Sequence, residues 1–233
     1  MFNYEEIAAN VEEIRKKMQT SLGGANRQVT LLAATKTVPP EVINYAIDNL
    51  GITDIGENRV QELLDKYDAL HLDNARLHFI GSLQTNKVKY IVDKVCMIHS
   101  VDSEKLALEI DRQARKHDII MDVLIEVNIG REENKGGVMP EDVETLADKI
   151  NELDGLRLCG MMTIAPKCGE KSEYFKYFDK TYQIFIDILQ KKLHNINIPV
   201  LSMGMSDSYE EAIACGSNMI RVGSSIFGAR SYS

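Results

Sequence analysis

Tryptophan is absent from this chain of 233 residues, and only four cysteines and five prolines occur. Cys96, Cys159, Cys168 and Cys215 form no Cys-x-x-Cys pair and no cluster with histidine. That excludes a zinc module and a disulfide scaffold. Free thiols suit a reducing compartment, so a cytoplasmic location is expected. Long apolar runs are missing as well, and none approaches the roughly 20 residues that span a bilayer. The N-terminal stretch MFNYEEIAANVEEIRKKMQ lacks the apolar centre and small-residue cleavage site of a signal peptide, and reads as an amphipathic helix. A basic excess is lacking too. Lysine and arginine number 27 against 35 aspartates and glutamates, a net charge of −8. A nucleic-acid-binding surface wants the opposite balance. No linker, repeat or low-complexity segment appears, so one domain over 1–233 is expected.

What is present is alternation. Apolar, β-prone runs occur at 29–36, 53–57, 76–81, 97–101, 122–130, 156–165, 199–205 and 219–228. Helical stretches separate them: 39–50, 58–70, 85–94, 103–117, 140–153, 173–192 and 207–216. Pro39 and Pro40 suit a first helical turn, and Ser103 suits an N-cap. Strands that alternate with helices argue for a parallel sheet. Eight such units argue for an α/β fold of the (β/α)8 TIM-barrel type, with an extra N-terminal helix at 3–19 packed outside it or across one end. An open doubly wound sheet is the competing architecture.

Barrel chemistry gathers at the C-terminal strand ends. Polar residues expected there are Lys36, Asn58, His78, Ser100 and Asn128, then Thr163, Ser206, Arg221 and Ser224. Lys36 closes the run LLAATK, and a lysine is costly to bury without a partner. It either escapes to solvent beside a glutamate or offers a desolvated amine for Schiff-base chemistry. Ser206 and Asp207 open one helix; Gly223 and Ser224 open a further turn. Free backbone amides at such starts attract anions, and the loops after strands seven and eight are the usual phosphate site of these barrels. Serine capping alone would explain each motif singly. An aldehyde-accepting lysine together with a phosphate clamp suggests pyridoxal 5′-phosphate (PLP).

Longer motifs carry a resemblance: AATKTVP around Lys36, IGENRVQE, HFIGSLQTNK, EVNIGREENKGG, GMMTIAP, LSMGMSDSYEEAI and IRVGSSIFGAR. In this order, and over almost the whole chain, they resemble the YggS/PROSC family of PLP-binding, PLP homeostasis proteins, whose fold is that of the alanine racemase N-terminal barrel. The resemblance implies that Lys36 holds PLP as an internal aldimine. It implies that Ser206, Gly223 and Ser224 bind the phosphate and that Arg221 faces the pyridine nitrogen. Asn58 would lie near the phenolic oxygen, with Met162 and Met203 around the ring. Ser224 stands where relatives often carry threonine, and keeps the hydroxyl. The implied role is to buffer PLP and deliver it to PLP-dependent apoenzymes; a monomer is expected, and charge and hydropathy point to no nucleic-acid or membrane partner.

An arginine at the ring nitrogen stays charged and disfavours protonating that nitrogen. The ring is then a weaker electron sink. The motifs also run to within a few residues of Ser233, which leaves an expectation of no second, racemase-type domain. A PLP-dependent racemase or decarboxylase is the alternative, and a sugar-phosphate aldolase using Lys36 is a third. His78 and His99 read as core histidines, Tyr209 and Tyr232 as surface residues, and the 173–192 aromatics as barrel packing. HFIGSLQTNK is either a ligand-proximal loop or a helix cap, and GREENKGG either a lid or a solvated turn.

Overall fold

The apolar runs become strands buried on both faces, as a parallel sheet covered by helices requires. A computed structural model of the chain describes residues 2–191 and 196–228. Its strands are β1 (Thr30–Ala34), β2 (Asp54–Glu57), β3 (Arg76–Phe79), β4 (Met97–Val101), β5 (Met121–Val127), β6 (Leu156–Thr163), β7 (Ile196–Ser202) and β8 (Met219–Val222). Each pairs in parallel with the next. β8 returns to β1 through Thr30↔Met219 to Ala33↔Val222, which closes the barrel. The expected TIM barrel is therefore observed, and the open sheet is not.

The helices are α1 (Tyr4–Ser21), α2 (Pro40–Leu50), α3 (Val60–Lys66), α4 (Glu104–Lys116), α5 (Val143–Asn151), α6 (Tyr174–Gln190), α7 (Tyr209–Ala214) and the short α8 (Ser224–Phe227). Ser103 caps α4 as expected, its hydroxyl accepting from Leu106 N at 3.4 Å. The stretch expected as a helix near 85–94 is instead a 3₁₀ helix, Thr85–Tyr90, followed by turns. Its apolar side chains Val88, Ile91, Val92 and Val95 are all buried at helical spacing. The backbone bonds at this turn, however, alternate between the third and fourth residue back. The tighter winding suits so short a connection.

The large core lies between sheet and helices. Smaller apolar groups, Leu32–Ile80–Met219 and Met97–Leu124–Cys159–Met162, are separate from it and fill the barrel interior. Gly160 has φ 139, and a Cβ there would lie 1.9 Å from the Val200 carbonyl oxygen. Only glycine fits this bulge between β6 and β7.

Helix α1 buries Ile7, Val11, Ile14 and Met18 on one stripe and packs on α2, α7 and α8. Asn3 caps it, accepting from Glu5 N and Glu6 N. Asn10 Nδ2 donates to the Ile226 carbonyl at 3.1 Å, which pins the helix to α8. The first turns of α1 thus lie over the mouth of the barrel. No helix among the described residues is long and apolar enough to cross a membrane.

Candidate functional site

Strand β1 ends at Ala34, and the chain turns through Thr35, Lys36 and Thr37 before α2. Strand β2 delivers Asn58, and the segment after β7 delivers Ser206. Arg221 lies near the end of β8, with Gly223 and Ser224 directly after it. One cavity of about 660 Å³ at this end of the barrel is lined by Lys36, Asn58, Ser206, Arg221, Gly223 and Ser224. These are six of the eight residues expected from the sequence. Met162 and Met203 are fully buried and do not line it. Met162 packs inside the barrel and Met203 joins the core beneath the helices. Sequence reasoning missed the wall that α1 contributes through Phe2, Asn3, Glu6, Ile7 and Asn10.

Arg221 is buried and rigidly held. One guanidinium nitrogen donates to the Ser202 carbonyl at 2.9 Å and to its hydroxyl at 2.7 Å. The other donates to the Thr163 carbonyl at 2.9 Å. Burial lowers its pKa to about 10, with Glu126 opposing the shift, so it stays charged near neutrality. Behind it runs a polar chain through the barrel. Ser202 Oγ is 3.5 Å from His99 Nδ1, His99 Nε2 is 3.0 Å from His78 Nδ1, and His78 Nε2 is 2.9 Å from Asp54 Oδ1. Burial, His78 and Arg221 hold His99 well below the usual histidine range, hence neutral. These contacts link Arg221 through Ser202, His99 and His78 to Asp54. Arg76 completes the Asp54 end at 2.8 Å. The two histidines are core residues, as expected.

Asn58 Oδ1 is buried and has no hydrogen-bond partner. Asn58 also lines the cavity, and a buried orphan of this kind beside it calls for a partner. Its backbone is fixed by HFIGSLQTNK, since a Cβ on Gly81 would lie 2.0 Å from the Asn58 carbonyl oxygen. Gln84 makes no side-chain capping bond to the helix that follows. Ser206 Oγ accepts from Ser225 N at 3.3 Å, which ties the segment after β7 to α8. In GREENKGG, Asn128 accepts from Glu132 N at 3.0 Å and donates to the Glu132 carbonyl at 2.9 Å, so the loop is pinned at its base. Tyr209, expected at the surface, is buried, and burial pushes its phenol up to about 12. Tyr232 lies outside the described residues.

A lysine just past a strand end, a buried arginine, an asparagine and a serine–glycine corner share the mouth of one α/β barrel. The family described as alanine racemase, N-terminal domain, matches residues 2–231, and the chain belongs to it. A pyridoxal phosphate homeostasis protein of Aquifex aeolicus is 46% identical over 228 residues, covering 98% of both chains. The Escherichia coli (strain K12) protein of the same name is 38% identical over 234 residues, again covering 98% of both. The structure of PipY from Synechococcus elongatus with PLP bound superposes with a TM-score of 0.82 at 30% identity, covering 95% of this chain and all of that one.

Proposed function

We propose that this protein binds PLP at the barrel mouth through Lys36 and buffers or hands on the cofactor in vitamin B6 and amino-acid homeostasis. The observation that carries this is the convergence of Lys36, Arg221 and the orphaned Asn58 amide on one cavity with Ser206, Gly223 and Ser224. Its volume suits a small cofactor. Lys36 supplies the amine for an imine link to the cofactor aldehyde, one water leaving. When PLP is bound, Arg221 would face the ring nitrogen, Asn58 the phenolic oxygen, and Ser206 with the Gly223–Ser224 backbone the phosphate. When bound, PLP supplies a reversible carbonyl and an electron-withdrawing ring.

Arg221 bears on what the site does with that ring. Its charge is fixed by three acceptors, so it repels a proton on the ring nitrogen and weakens the electron sink. A reversible imine at an accessible mouth suits release to PLP-dependent apoenzymes better than carbanion chemistry. We take the whole chain as one PLP-binding domain, acting as a cytoplasmic monomer. Likeness to the named homeostasis proteins over nearly full length supports the single PLP-binding domain.

The test is incubation with PLP and L-alanine or L-serine in deuterated water, followed by NMR. Negligible α-deuteration and unchanged chirality are expected. Turnover of several per second, abolished in Lys36→Ala, would replace homeostasis with a racemase-type enzyme.

A further inference from the structure

Both neighbours of Lys36 are held from behind, outside the cavity. Lys66 Nζ donates to the Thr35 carbonyl at 2.9 Å, to Glu57 Oε1 at 2.8 Å and to Glu62 Oε1 at 2.9 Å. Thr35 Oγ1 also donates to Glu57 Oε1, at 2.7 Å. On the other side of Lys36, Thr37 N donates to Glu62 Oε1. One ammonium therefore fixes Thr35 directly and Thr37 through Glu62. Thr35 and Glu57 have no exposed surface, and Lys66 is 8% exposed.

Two features say that this cluster does more than fill space. Thr37 has φ 63, in the left-handed region that a β-branched residue avoids. Such a conformation persists only where its surroundings over-determine it, and here the Glu62 contact supplies that constraint. Burying Lys66 and Glu57, with Glu62 half-buried beside them, also carries a large desolvation cost that apolar packing would not. Burial raises the Glu57 carboxyl above its usual range against the pull of Lys66 and Thr35. The cluster is thus poorly suited to stability alone, yet among the described residues its side-chain hydrogen bonds outside itself fall on the residues flanking Lys36.

We propose that Lys66, Glu57 and Glu62 are positioning residues for Lys36, clamping the Thr35–Lys36–Thr37 turn so that the amine stays aimed into the cavity. This rests on Lys36 being the imine-forming residue. In that step the Lys36 nitrogen lone pair attacks the aldehyde carbon. The aldehyde oxygen leaves as water with the two amine protons, and C=N replaces C=O. Without the clamp the turn relaxes toward ordinary φ and the amine loses its fixed approach. The groups expected to face the phosphate and ring are Arg221 on β8 and residues that follow β2, β7 and β8, all outside that turn.

The experiment compares Lys66→Met and Glu62→Ala with wild type in the full chain. Three quantities are read: the rate of PLP imine formation by visible absorbance, the affinity for pyridoxamine 5′-phosphate, which lacks the aldehyde, and Lys36 acetylation by acetic anhydride in cofactor-free protein. Lys66→Met is expected to slow imine formation by about 10- to 100-fold and to alter Lys36 acetylation. Pyridoxamine 5′-phosphate affinity should stay within about 3-fold, since its contacts are untouched. Adding Thr37→Gly to Lys66→Met should deepen the loss, because glycine leaves the released turn freer still. Glu62 is partly exposed, so Glu62→Ala serves should Lys66→Met not fold; a smaller slowing in the same sense is expected. Wild-type imine rates in folded variants, or equal losses in rate and pyridoxamine 5′-phosphate affinity, would overturn the clamp. Wild type that forms no imine on Lys36 would refute the PLP assignment instead. Lys36 acetylation then decides the clamp alone: unchanged acetylation in both variants overturns it, and altered acetylation upholds it.

Discussion

Arg221 and Ser202 are joined twice: a single guanidinium nitrogen donates to both the carbonyl and the hydroxyl of the serine, at 2.9 and 2.7 Å. The hydroxyl also lies 3.5 Å from His99 Nδ1. Ser202→Ala removes an acceptor from a buried cation and a hydrogen-bonding partner from a buried imidazole. Hydrogen bonds to charged groups are worth about 1.5–3 kcal/mol, and a stability loss of that order is expected in urea denaturation. A loss within a few tenths of a kcal/mol would mean that the polar chain is not mechanically connected to Arg221.

Glu126 sets a pH dependence. Burial, with Asp102 adding to it, raises its carboxyl from 4.5 to about 7 against the pull of Arg221. The unfolded chain releases this proton near 4.5, and the folded protein keeps it until about 7. The folded state therefore binds more protons across that window, and stability falls as pH rises through it. At about 1.4 kcal/mol per pH unit, the Glu126 contribution shrinks by about 3 kcal/mol across the window. Glu126→Gln should gain that much on the wild type between pH 4.5 and pH 8, by denaturation at both. Parallel pH profiles would remove Glu126 as the source.

Gly81 carries the backbone of Asn58. In Gly81→Ala the new methyl meets a carbonyl oxygen at 2.0 Å, which backbone movement must relieve. Overpacking of this kind costs about 1–3 kcal/mol. Reduced thermal stability is expected together with weaker PLP binding, since Asn58 moves. Unchanged PLP affinity in a destabilised variant would separate Asn58 from the cofactor.

Ser206→Ala tests the phosphate corner. A lost hydroxyl–anion bond of about 1.5–3 kcal/mol corresponds to roughly 10- to 150-fold weaker PLP binding. Affinity for pyridoxal, which has no phosphate, should hardly change. Pyridoxal binding as tightly as PLP in the wild type would eliminate the phosphate clamp.

The barrel was legible because each strand is a short apolar run between helical periods, and β4 has the limits expected from its sequence, 97–101. Other strands stop early. β1 ends at Ala34, before Lys36, and β8 at Val222, before the short helix α8. The polar residues after these ends leave the sheet to build the mouth, which apolar patterning does not register. Lys36, Arg221 and Ser206 were legible from motif and position. The Asp54–His78–His99 chain was not, because its members are apart in sequence and meet only across neighbouring strands. The same holds for Lys66 beneath Lys36: its i,i+4 spacing from Glu62 looks like an ordinary helix pair until the fold brings Thr35 against it. The α1 wall escaped notice because its cavity residues share a helix with an ordinary apolar stripe.

The most direct test is borohydride reduction of the PLP-loaded protein, followed by peptide mass spectrometry. The pyridoxyl group is expected on Lys36 alone, and Lys36→Ala, folded by circular dichroism, should take up none. Label chiefly on another lysine, or equal labelling of Lys36→Ala, would contradict the assignment of this cavity.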